Sequence, residues 1–446
     1  MFKLTSECHI LPVPETEDEF AAYFPLKSII LKLNKDGADI LNSLKEKKLR
    51  GGKDSLNFLE SLAGLGLVNG PEDKVPNTPH RKILNSPNVM LLTTESCNLR
   101  CLYCYSEGGK GQTDMSLQTA KAAVNHVASL AERSKQKLFS VLYHGGGEPT
   151  VNWKVVKGSL EYGLKLAKKN NLKANFGIVT NGIFSLKRAE WISQHFTRGI
   201  TISIDGPPDI NDKHRPMASG KSSYEHVARN LHYFDDVGLL YTFRVTITNH
   251  SQDRIIEICD HLINEFNPRS IQLEHNYVCG RGVTAECDSP NRESFINGYL
   301  EARDKYRHRI SLWYSGGRFD HISDMYCGAA SGSFIITPTG RLTTCLEVCA
   351  DDDPRTEIFH YGKYDADSDS FEVWPERVER FASFRVQNFK TCDGCVAKWH
   401  CAGDCPAKVP SIERIVEQRD DHRCEINRNI LIHELLNRMD SGAPLC

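Results

Sequence analysis

The sequence predicts an α/β protein whose centre is a partial barrel of six strand–helix units. Between residues 88 and 285, apolar runs rich in β-branched residues alternate with helical segments, which implies a parallel sheet with crossover helices. Polar or glycine-rich loops follow several of these strands, and chemistry in such barrels lies at the carboxyl ends of the strands. The predicted strands are NVMLLTTE, LFSVLYHGGGEP, ANFGIVTNG, GITISIDGP, LYTFRVTITN and SIQLEHNYV.

The chain of 446 residues is long enough for two or three domains. Its formal net charge of −2 gives no reason to expect a nucleic-acid or membrane partner. The opening MFKLTSECHILPVPE lacks the basic and apolar regions of a signal peptide, and no run approaches the ~18 apolar residues of a spanning helix. We therefore expect a cytoplasmic protein.

Residues 1–80 predict a small winged-helix-like domain. Two β-rich pieces, CHILPV and SIILKLN, come before two helical segments, and PEDKVPNTPHRK then reads as a linker. Gly64 and Gly66 are expected to end the second helix. Its apolar face is expected to consist of four leucines spaced three apart, Leu56, Leu59, Leu62 and Leu65.

Sixteen cysteines are unusual for a chain with these features. In a reducing compartment, clustered thiols bind metal more often than they form disulfides. The clusters lie at 97–104, 327–349 and 392–424. The remaining cysteines are interpreted as ordinary small hydrophobic residues: Cys8, Cys259, Cys279, Cys287 and Cys446.

The stretch CNLRCLYCY follows the first predicted strand and contains the pattern C-x3-C-x2-C, formed by Cys97, Cys101 and Cys104. Zinc prefers four tetrahedral ligands, and no fourth cysteine or histidine follows closely. Three thiolates leave one iron of a 4Fe–4S cluster without a protein ligand. This open position favours a catalytic cluster over a structural one.

This motif resembles that of the radical S-adenosylmethionine (radical SAM) enzymes. The resemblance implies that S-adenosylmethionine (SAM) chelates the open iron and is cleaved to a 5′-deoxyadenosyl radical, which abstracts a substrate hydrogen. HGGGEP resembles the GGEP motif of the family, and TNG and SIDGP look like its later strand-end segments, although Asn-Gly and Asp-Gly pairs also form ordinary turns. The resemblance also implies that Arg215, in DKHRP, reaches the carboxylate of SAM. The implied SAM-binding residues are Gly145, Gly146, Gly147, Glu148, Asn181, Ser203 and Arg215.

The C-terminal third resembles the SPASM extension of radical SAM enzymes through C-x12-G-x4-C and C-x2-C-x5-C-x3-C patterns. The resemblance implies two auxiliary 4Fe–4S clusters, three clusters in all; two zinc ribbons are the alternative. Ser333 stands where some relatives have another cysteine. Either Cys349 supplies the fourth ligand of the inner cluster, or one iron of that cluster has no protein ligand. The implied outer ligands are Cys392, Cys395, Cys401 and Cys424, and the inner ligands are Cys327, Cys345 and Cys405.

The resemblance predicts three domains: the recognition domain at 1–80, a radical SAM partial (β/α)6 barrel at 88–310 and a SPASM domain at 311–446. SPASM enzymes include peptide maturases and anaerobic sulfatase-maturating enzymes. The N-terminal unit resembles the precursor-recognition domain of peptide maturases. Sulfatase maturases place an acidic base directly after the G-x4-C cysteine, whereas Leu346 follows Cys345 here and Glu347 stands one residue further.

We therefore predict a maturase that installs a cross-link, thioether or carbon–carbon, or a related oxidative modification in a ribosomally made precursor peptide. The expected partners are that peptide and an electron donor such as flavodoxin or ferredoxin. A formylglycine-generating enzyme and a non-catalytic iron–sulfur electron carrier are the alternatives. No catalytic acid or base can be assigned, although four residues lie on plausible loops: Glu274, His275, Tyr277 and Glu347.

Overall fold

The structure, a computed structural model, describes residues 2–48, 53–78, 84–381, 383–408 and 421–441. The predicted linker at 71–82 lies partly outside the described residues, and Cys446 lies wholly outside them. Within the described residues, no helix is both long and apolar enough to cross a membrane.

The N-terminal unit is a three-stranded antiparallel sheet followed by two helices. Its strands β1 (His9–Pro12), β2 (Glu19–Phe24) and β3 (Ile29–Asn34) lie in that order, so β1 and β3 form the two edges. Helices α1 (Lys35–Lys45) and α2 (Lys53–Gly64) follow. The sequence pattern did not predict β2, since its two central alanines weaken the strand signal.

The predicted apolar face of α2 is only partly correct. Leu59 and Leu62 are buried, but Leu56 is 44% exposed and Leu65 is 51% exposed. An α-helix has 3.6 residues per turn, so side chains spaced three residues apart move progressively around the helix axis. Four side chains at this spacing therefore cannot stay on one face. Gly66 ends the helix as expected, because it adopts a left-handed φ of 70°.

All six predicted core strands form, and a seventh joins them. They run parallel, in the order β10-β9-β8-β7-β6-β5-β4. The bounds are β4 Asn88–Leu92, β5 Leu138–His144, β6 Lys173–Thr180, β7 Ile200–Ser203, β8 Tyr241–Ile247, β9 Ser270–His275 and β10 Ser311–Trp313. The crossover and covering helices are α3 Leu117–Arg133, α4 Trp153–Lys169, α5 Leu186–His195, α6 Pro208–His214, α7 Tyr224–Asp236, α8 Ile255–Glu265 and α9 Arg292–Tyr306.

Alternation along the strands separates the helix-covered core from the interior of the partial barrel. In β8, Phe243 and Val245 are completely buried, whereas Arg244 and Thr246 point the other way and line the interior cavity. Buried side chains also alternate with less buried ones along β5 and β7, and this alternation determines which side chains can reach a ligand. The core strands thus supply the floor of a site at their carboxyl ends.

The C-terminal unit continues the same sheet. Strand β11 (Ile335–Ile336) pairs in parallel with β4, and β12 (Arg341–Thr343), β13 (His360–Asp365) and β14 (Ser370–Val373) extend it with antiparallel pairs. This pairing holds the C-terminal cysteines next to the first barrel strand. The remaining helices are α10 Thr356–Phe359, α11 Pro375–Phe381, α12 Lys398–Cys401 and α13 Asp421–Ser441.

The N-terminal sheet packs directly on the C-terminal unit. Tyr23 from β2 is buried in one cluster with Leu431 and Leu435 of α13. Trp399 Nε1 donates to Glu7 Oε2 at 2.7 Å, and the Tyr23 hydroxyl lies 2.5 Å from His400 Nε2. The described part of the N-terminal unit therefore helps to support the C-terminal unit.

We expect Tyr23→Phe to destabilise this interface. Burial lowers the pKa of His400 to about 4, and its Nδ1 donates to the carbonyl of Arg318, so Nε2 accepts from Tyr23. Without the hydroxyl, a buried nitrogen loses its partner, which costs about 1–3 kcal/mol. The free energy of unfolding in urea measures this loss. In the control, Tyr162→Phe, the lost hydroxyl bond is exposed, and an equal loss in both variants would contradict the expectation.

Candidate functional site

A cavity of about 480 Å³ lies at the carboxyl ends of the core strands. Its walls combine loops that are far apart in sequence: the three-cysteine loop at 97–104, the glycine turn at 145–148 and part of the C-terminal cysteine region. Cavities of this size hold small-molecule ligands and cofactors. The sequence-predicted SAM-binding residues Gly145, Gly146, Gly147, Glu148, Asn181, Ser203 and Arg215 all line it.

Two arginines hold the backbone of the three-cysteine loop. Arg100 Nη1 donates to the carbonyls of Cys97 and Leu99, both at 2.8 Å. Arg281 donates from Nη1 to the Cys101 carbonyl at 2.9 Å and from Nη2 to that of Gly108 at 2.8 Å. Sequence reasoning missed Arg281, although its CGRG loop directly follows the last predicted strand. Both arginines fix the loop without occupying the thiols.

Burial disfavours free thiolates in the three-cysteine loop. Burial raises the pKa of Cys97 to about 11 and that of Cys101 to about 12, with the charge of Glu148 adding to the effect at Cys97. A metal takes the thiolate form, so binding releases their protons. Among the described residues, no group of three or more cysteine, histidine, aspartate or glutamate side chains is arranged to hold a single metal ion.

The glycine turn after β5 packs on the cysteine loop at close range. Gly147 N–H donates to the Thr94 carbonyl at 2.8 Å, and the Ser106 hydroxyl donates to the Gly146 carbonyl. A Cβ on Gly147 would collide with the carbonyl of Ser96, and one on Gly146 would collide with the sulfur of Cys349. Side chains are therefore excluded here, which leaves backbone and open space beside the thiols.

Glu148 is buried and binds protein groups. Its Oε1 accepts from the hydroxyls of Thr150 and Thr180, both at 2.7 Å, and from the Thr150 N–H. Its Oε2 accepts from the Asn181 N–H at 2.8 Å. Burial raises the pKa of Glu148 despite these four donors. Its implied contact with the ammonium of SAM remains a prediction.

The other implied SAM-binding residues surround the same loop. Asn181 donates to Asn98 Oδ1 at 2.7 Å and so joins the end of β6 to the cysteine loop. Ser203 ends β7 at the cavity wall. Arg215 is buried, and its Nη1 donates to the Tyr103 hydroxyl at 2.5 Å, behind Cys101. All three residues therefore line the same cavity as the thiols.

The structure brings Cys327, Cys345 and Cys405 to the same cavity. Burial and then the charge of Glu347 raise the pKa of Cys345, and the two other cysteines add to the rise. Gly340 forms the β11–β12 turn with a left-handed φ of 83°, which explains the glycine of the C-x12-G-x4-C pattern.

A second set forms beneath the N-terminal sheet. Asn427 Nδ2 donates to Cys401 Sγ at 3.3 Å, and a buried ion pair between Arg423 and Asp404 at 2.6 Å ties α13 to this loop. Besides burial and Asp404, the charges of Cys424 and Cys392 raise the pKa of Cys401. The cysteines of this set are Cys392, Cys395, Cys401 and Cys424.

Two further cysteines have unexpected positions. Cys349 packs with Leu92 and Ile335, against Gly146, and does not line the cavity. Cys279, interpreted from sequence as an ordinary hydrophobic residue, does line it, with its sulfur 4.0 Å from Lys408 Nζ. Of these two cysteines, Cys279 is therefore the one that reaches the cavity.

The four polar residues left unassigned by sequence all line the cavity, and three have protein partners. Glu274 accepts from Ser315, and the Tyr277 hydroxyl donates to the Lys408 carbonyl at 3.1 Å. Glu347 pairs with Lys408 at 2.9 Å; although burial opposes ionisation, Lys408 and Arg355 hold its pKa below the usual range. Burial lowers the pKa of His275 to about 3, so it is neutral.

Residues 91–262 match the family described as the Radical SAM superfamily, so this part of the chain is a radical SAM domain. The chain is 28% identical over 188 residues to an uncharacterised protein of Methanocaldococcus jannaschii, and 28% identical over 199 residues to the Fe-coproporphyrin III synthase of Methanosarcina barkeri. The first match covers 42% of this chain and 62% of the relative, and the second covers 44% of this chain and 45% of the relative. Each match therefore spans less than two thirds of the relative's length. The mycofactocin maturase MftC of Mycolicibacterium smegmatis is 25% identical over 70% of this chain and 76% of its own length.

Solved structures confirm the α/β radical SAM fold. AdoMet-bound anSMEcpe superposes with a TM-score of 0.59 and 15% identity over 79% of this chain and 99% of its own. Streptococcus suis SuiB bound to its precursor peptide SuiA gives a TM-score of 0.52 and 14% identity over 95% of this chain and 99% of its own. The family implies a 4Fe–4S cluster and SAM, and the donor set described above fits both.

Replacing Cys97, Cys101 and Cys104 together by Ala should remove about four irons per chain and abolish cleavage of SAM, because one 4Fe–4S cluster loses all its protein ligands. Iron analysis and chromatography of the nucleoside product measure the two effects. Cys259→Ala is the control, since that thiol is buried in the core away from the cavity. Unchanged iron content in the triple variant would contradict the assignment.

Proposed function

We propose that this chain is a cytoplasmic radical SAM peptide maturase. It abstracts a hydrogen from a ribosomally made precursor peptide and installs a cross-link, thioether or carbon–carbon, or a related oxidative modification. The observation that carries this proposal is the shared cavity, where the three-cysteine loop and Cys327, Cys345 and Cys405 line one space. A substrate held there lies between a site of hydrogen abstraction and a site that can accept the remaining electron.

The proposal includes three 4Fe–4S clusters: one at the three-cysteine loop, one at the inner ligands and one at the outer ligands. When bound, the first cluster and SAM supply the radical that abstracts the hydrogen. The chain itself orients and shields this chemistry. Arg100 and Arg281 hold the cysteine loop, whereas Glu148 and Asn181 connect it to the neighbouring strand ends.

The N-terminal sheet supports recognition of an extended peptide. Its two edge strands are β1 and β3, and an edge strand offers unpaired backbone groups to an added strand. They correspond to the two β-rich pieces of the sequence, CHILPV and SIILKLN. SuiB, whose structure contains a bound precursor peptide, shares the fold over 95% of this chain.

The second proposed partner is an electron donor such as flavodoxin or ferredoxin. Cys395 lines a surface cavity of about 470 Å³ together with Lys45 and Arg428. Cationic side chains beside an outer cluster suit a carrier with an acidic surface. This arrangement would let electrons enter or leave by the outer set.

Generation of formylglycine is the second candidate, supported by the superposition on anSMEcpe, whose structures also include bound Cp18Cys and Kp18Cys peptides. Glu347 is the acidic residue nearest in sequence to Cys345, but its ion pairs with Lys408 and Arg355 make it a weak base. We therefore prefer the peptide maturase.

Replacing Cys392 and Cys395 by Ala should leave measurable cleavage of SAM but stop product formation, because the outer set then no longer carries the electron. The two rates are measured by chromatography and by peptide mass spectrometry under identical reducing conditions. Cys8→Ala and Cys259→Ala, two buried thiols outside the three sets, serve as controls. Normal product formation in the double variant would rule out this electron route.

Addition of the full-length precursor should slow amide hydrogen exchange in β1 or in β3, while the central strand β2 stays unchanged. A core peptide without its leader should give no protection and should be processed about 10²-fold more slowly, because the tether no longer raises its effective concentration. Short peptides encoded beside this gene are the substrates to test. Deletion of residues 1–80 is a poorer test, since it uncovers His400 and Leu435.

If both peptides were processed equally, or if binding protected neither edge, the N-terminal unit would be a structural cap. The peptide-maturase proposal would then lose its main advantage over formylglycine generation.

A further inference from the structure

Arg244 points into the cavity from the middle of the core sheet. It stands in register with Ser203 on β7 and with Gln272 on β9, and all three residues line the cavity. The alternation along β8 directs its side chain away from the helix-covered core. Its guanidinium nitrogens are not fully buried, so they are open to a ligand in this space.

The guanidinium of Arg244 has no hydrogen-bond or ion-pair partner within the described ranges of the chain. Its charge reaches Glu347, but that carboxylate already pairs with Lys408 at 2.9 Å and with Arg355 at 3.5 Å. One carboxylate thus faces three cations on this wall of the cavity. A cleft with surplus positive charge concentrates anions, so the wall is suited to a negatively charged ligand group.

His144 adds a neutral donor to the same wall. The Gly145 N–H donates to its Nδ1 at 2.9 Å, which assigns the ring proton to Nε2. Burial and then the charge of Arg244 lower the pKa of His144 to about 4, so the ring is neutral at pH 7. His144 lines the cavity, and no described residue accepts from its Nε2. The planar fork of the arginine matches the two oxygens of a carboxylate, and the imidazole can supply a further N–H.

We propose that Arg244 binds a carboxylate of the substrate peptide, with His144 as the second donor. The carboxylate is that of the C-terminus or of an Asp or Glu side chain. The inference rests on the proposed function and specifies the peptides on which the enzyme acts. Since the cavity of about 480 Å³ has room for only a few residues, this carboxylate lies close in sequence to the modified residue. Binding it holds that residue against the three-cysteine loop.

SAM also carries a carboxylate, and Ser203, one of its implied contacts, is the register neighbour of Arg244. The cation implied for SAM is Arg215, whose charge acts on Cys101 in the three-cysteine loop. Arg244 is therefore the cation left for the substrate. The experiment measures both ligands so that the two sources of a carboxylate are distinguished.

The test combines Arg244→Gln with matched peptides. The probe is the leaderless core of the precursor encoded beside this gene, made with a free C-terminus, with a C-terminal amide, and with each Asp or Glu replaced in turn by Asn or Gln. Calorimetry on the reconstituted full-length enzyme with SAM, without reductant, gives each dissociation constant. The parent should bind the peptide that lacks the recognised carboxylate about 10-fold more weakly or worse. Arg244→Gln should bind all the peptides equally weakly, and Arg244→Lys should discriminate to an intermediate degree.

Arg269→Gln is the matched control. It removes the same charge at the amino ends of the strands, where Arg269 lines a separate cavity, and it should discriminate like the parent. Full discrimination by Arg244→Gln at parental iron content would overturn the inference, as would a parent that binds all the peptides equally. A loss of SAM affinity in Arg244→Gln with peptide discrimination intact would assign the arginine to SAM and overturn it too. A parent that modified none of the peptides would instead refute the proposed function, and the inference with it.

Discussion

Glu148 is buried among four hydrogen-bond donors, and the arrangement of the cavity depends on this carboxylate. It accepts from Thr150 beyond the glycine turn and from Thr180 and Asn181 at the end of the next strand. Asn181 in turn donates to Asn98 inside the cysteine loop. A single anion therefore joins three loops that arise from three parallel strands. Because it is buried, its donors cannot be exchanged for water without cost.

The continuous sheet explains how two cysteine regions more than 200 residues apart reach one space. Strand β11 pairs with β4, the strand that leads into the three-cysteine loop. Cys345 follows β12, the next strand along this sheet, and Cys327 precedes β11. Backbone pairing, which is directional and closely spaced, thus sets the distance across the cavity more firmly than loop contacts could.

The N-terminal unit has a structural connection to the outer cysteine set as well as its proposed role in recognition. Glu7 and Tyr23 bond to Trp399 and His400, the residues directly before Cys401. A peptide bound at a sheet edge would therefore lie on an element that already touches the outer set. This contact makes the unit a support for the C-terminal region in addition to any docking role.

The sequence by itself determined the six core strands, the strand-end location of the chemistry and the grouping of the cysteines. These features depend on local signals, namely periodicity and spacing, that survive without tertiary context. It could not show β2, the exposure of Leu56 or the positions of Cys279 and Cys349. Nor could it show Arg281, which binds the backbone of residues far away in sequence. Only the tertiary structure decided these, because burial and partners of an isolated charge or thiol are set by which distant segments pack around it.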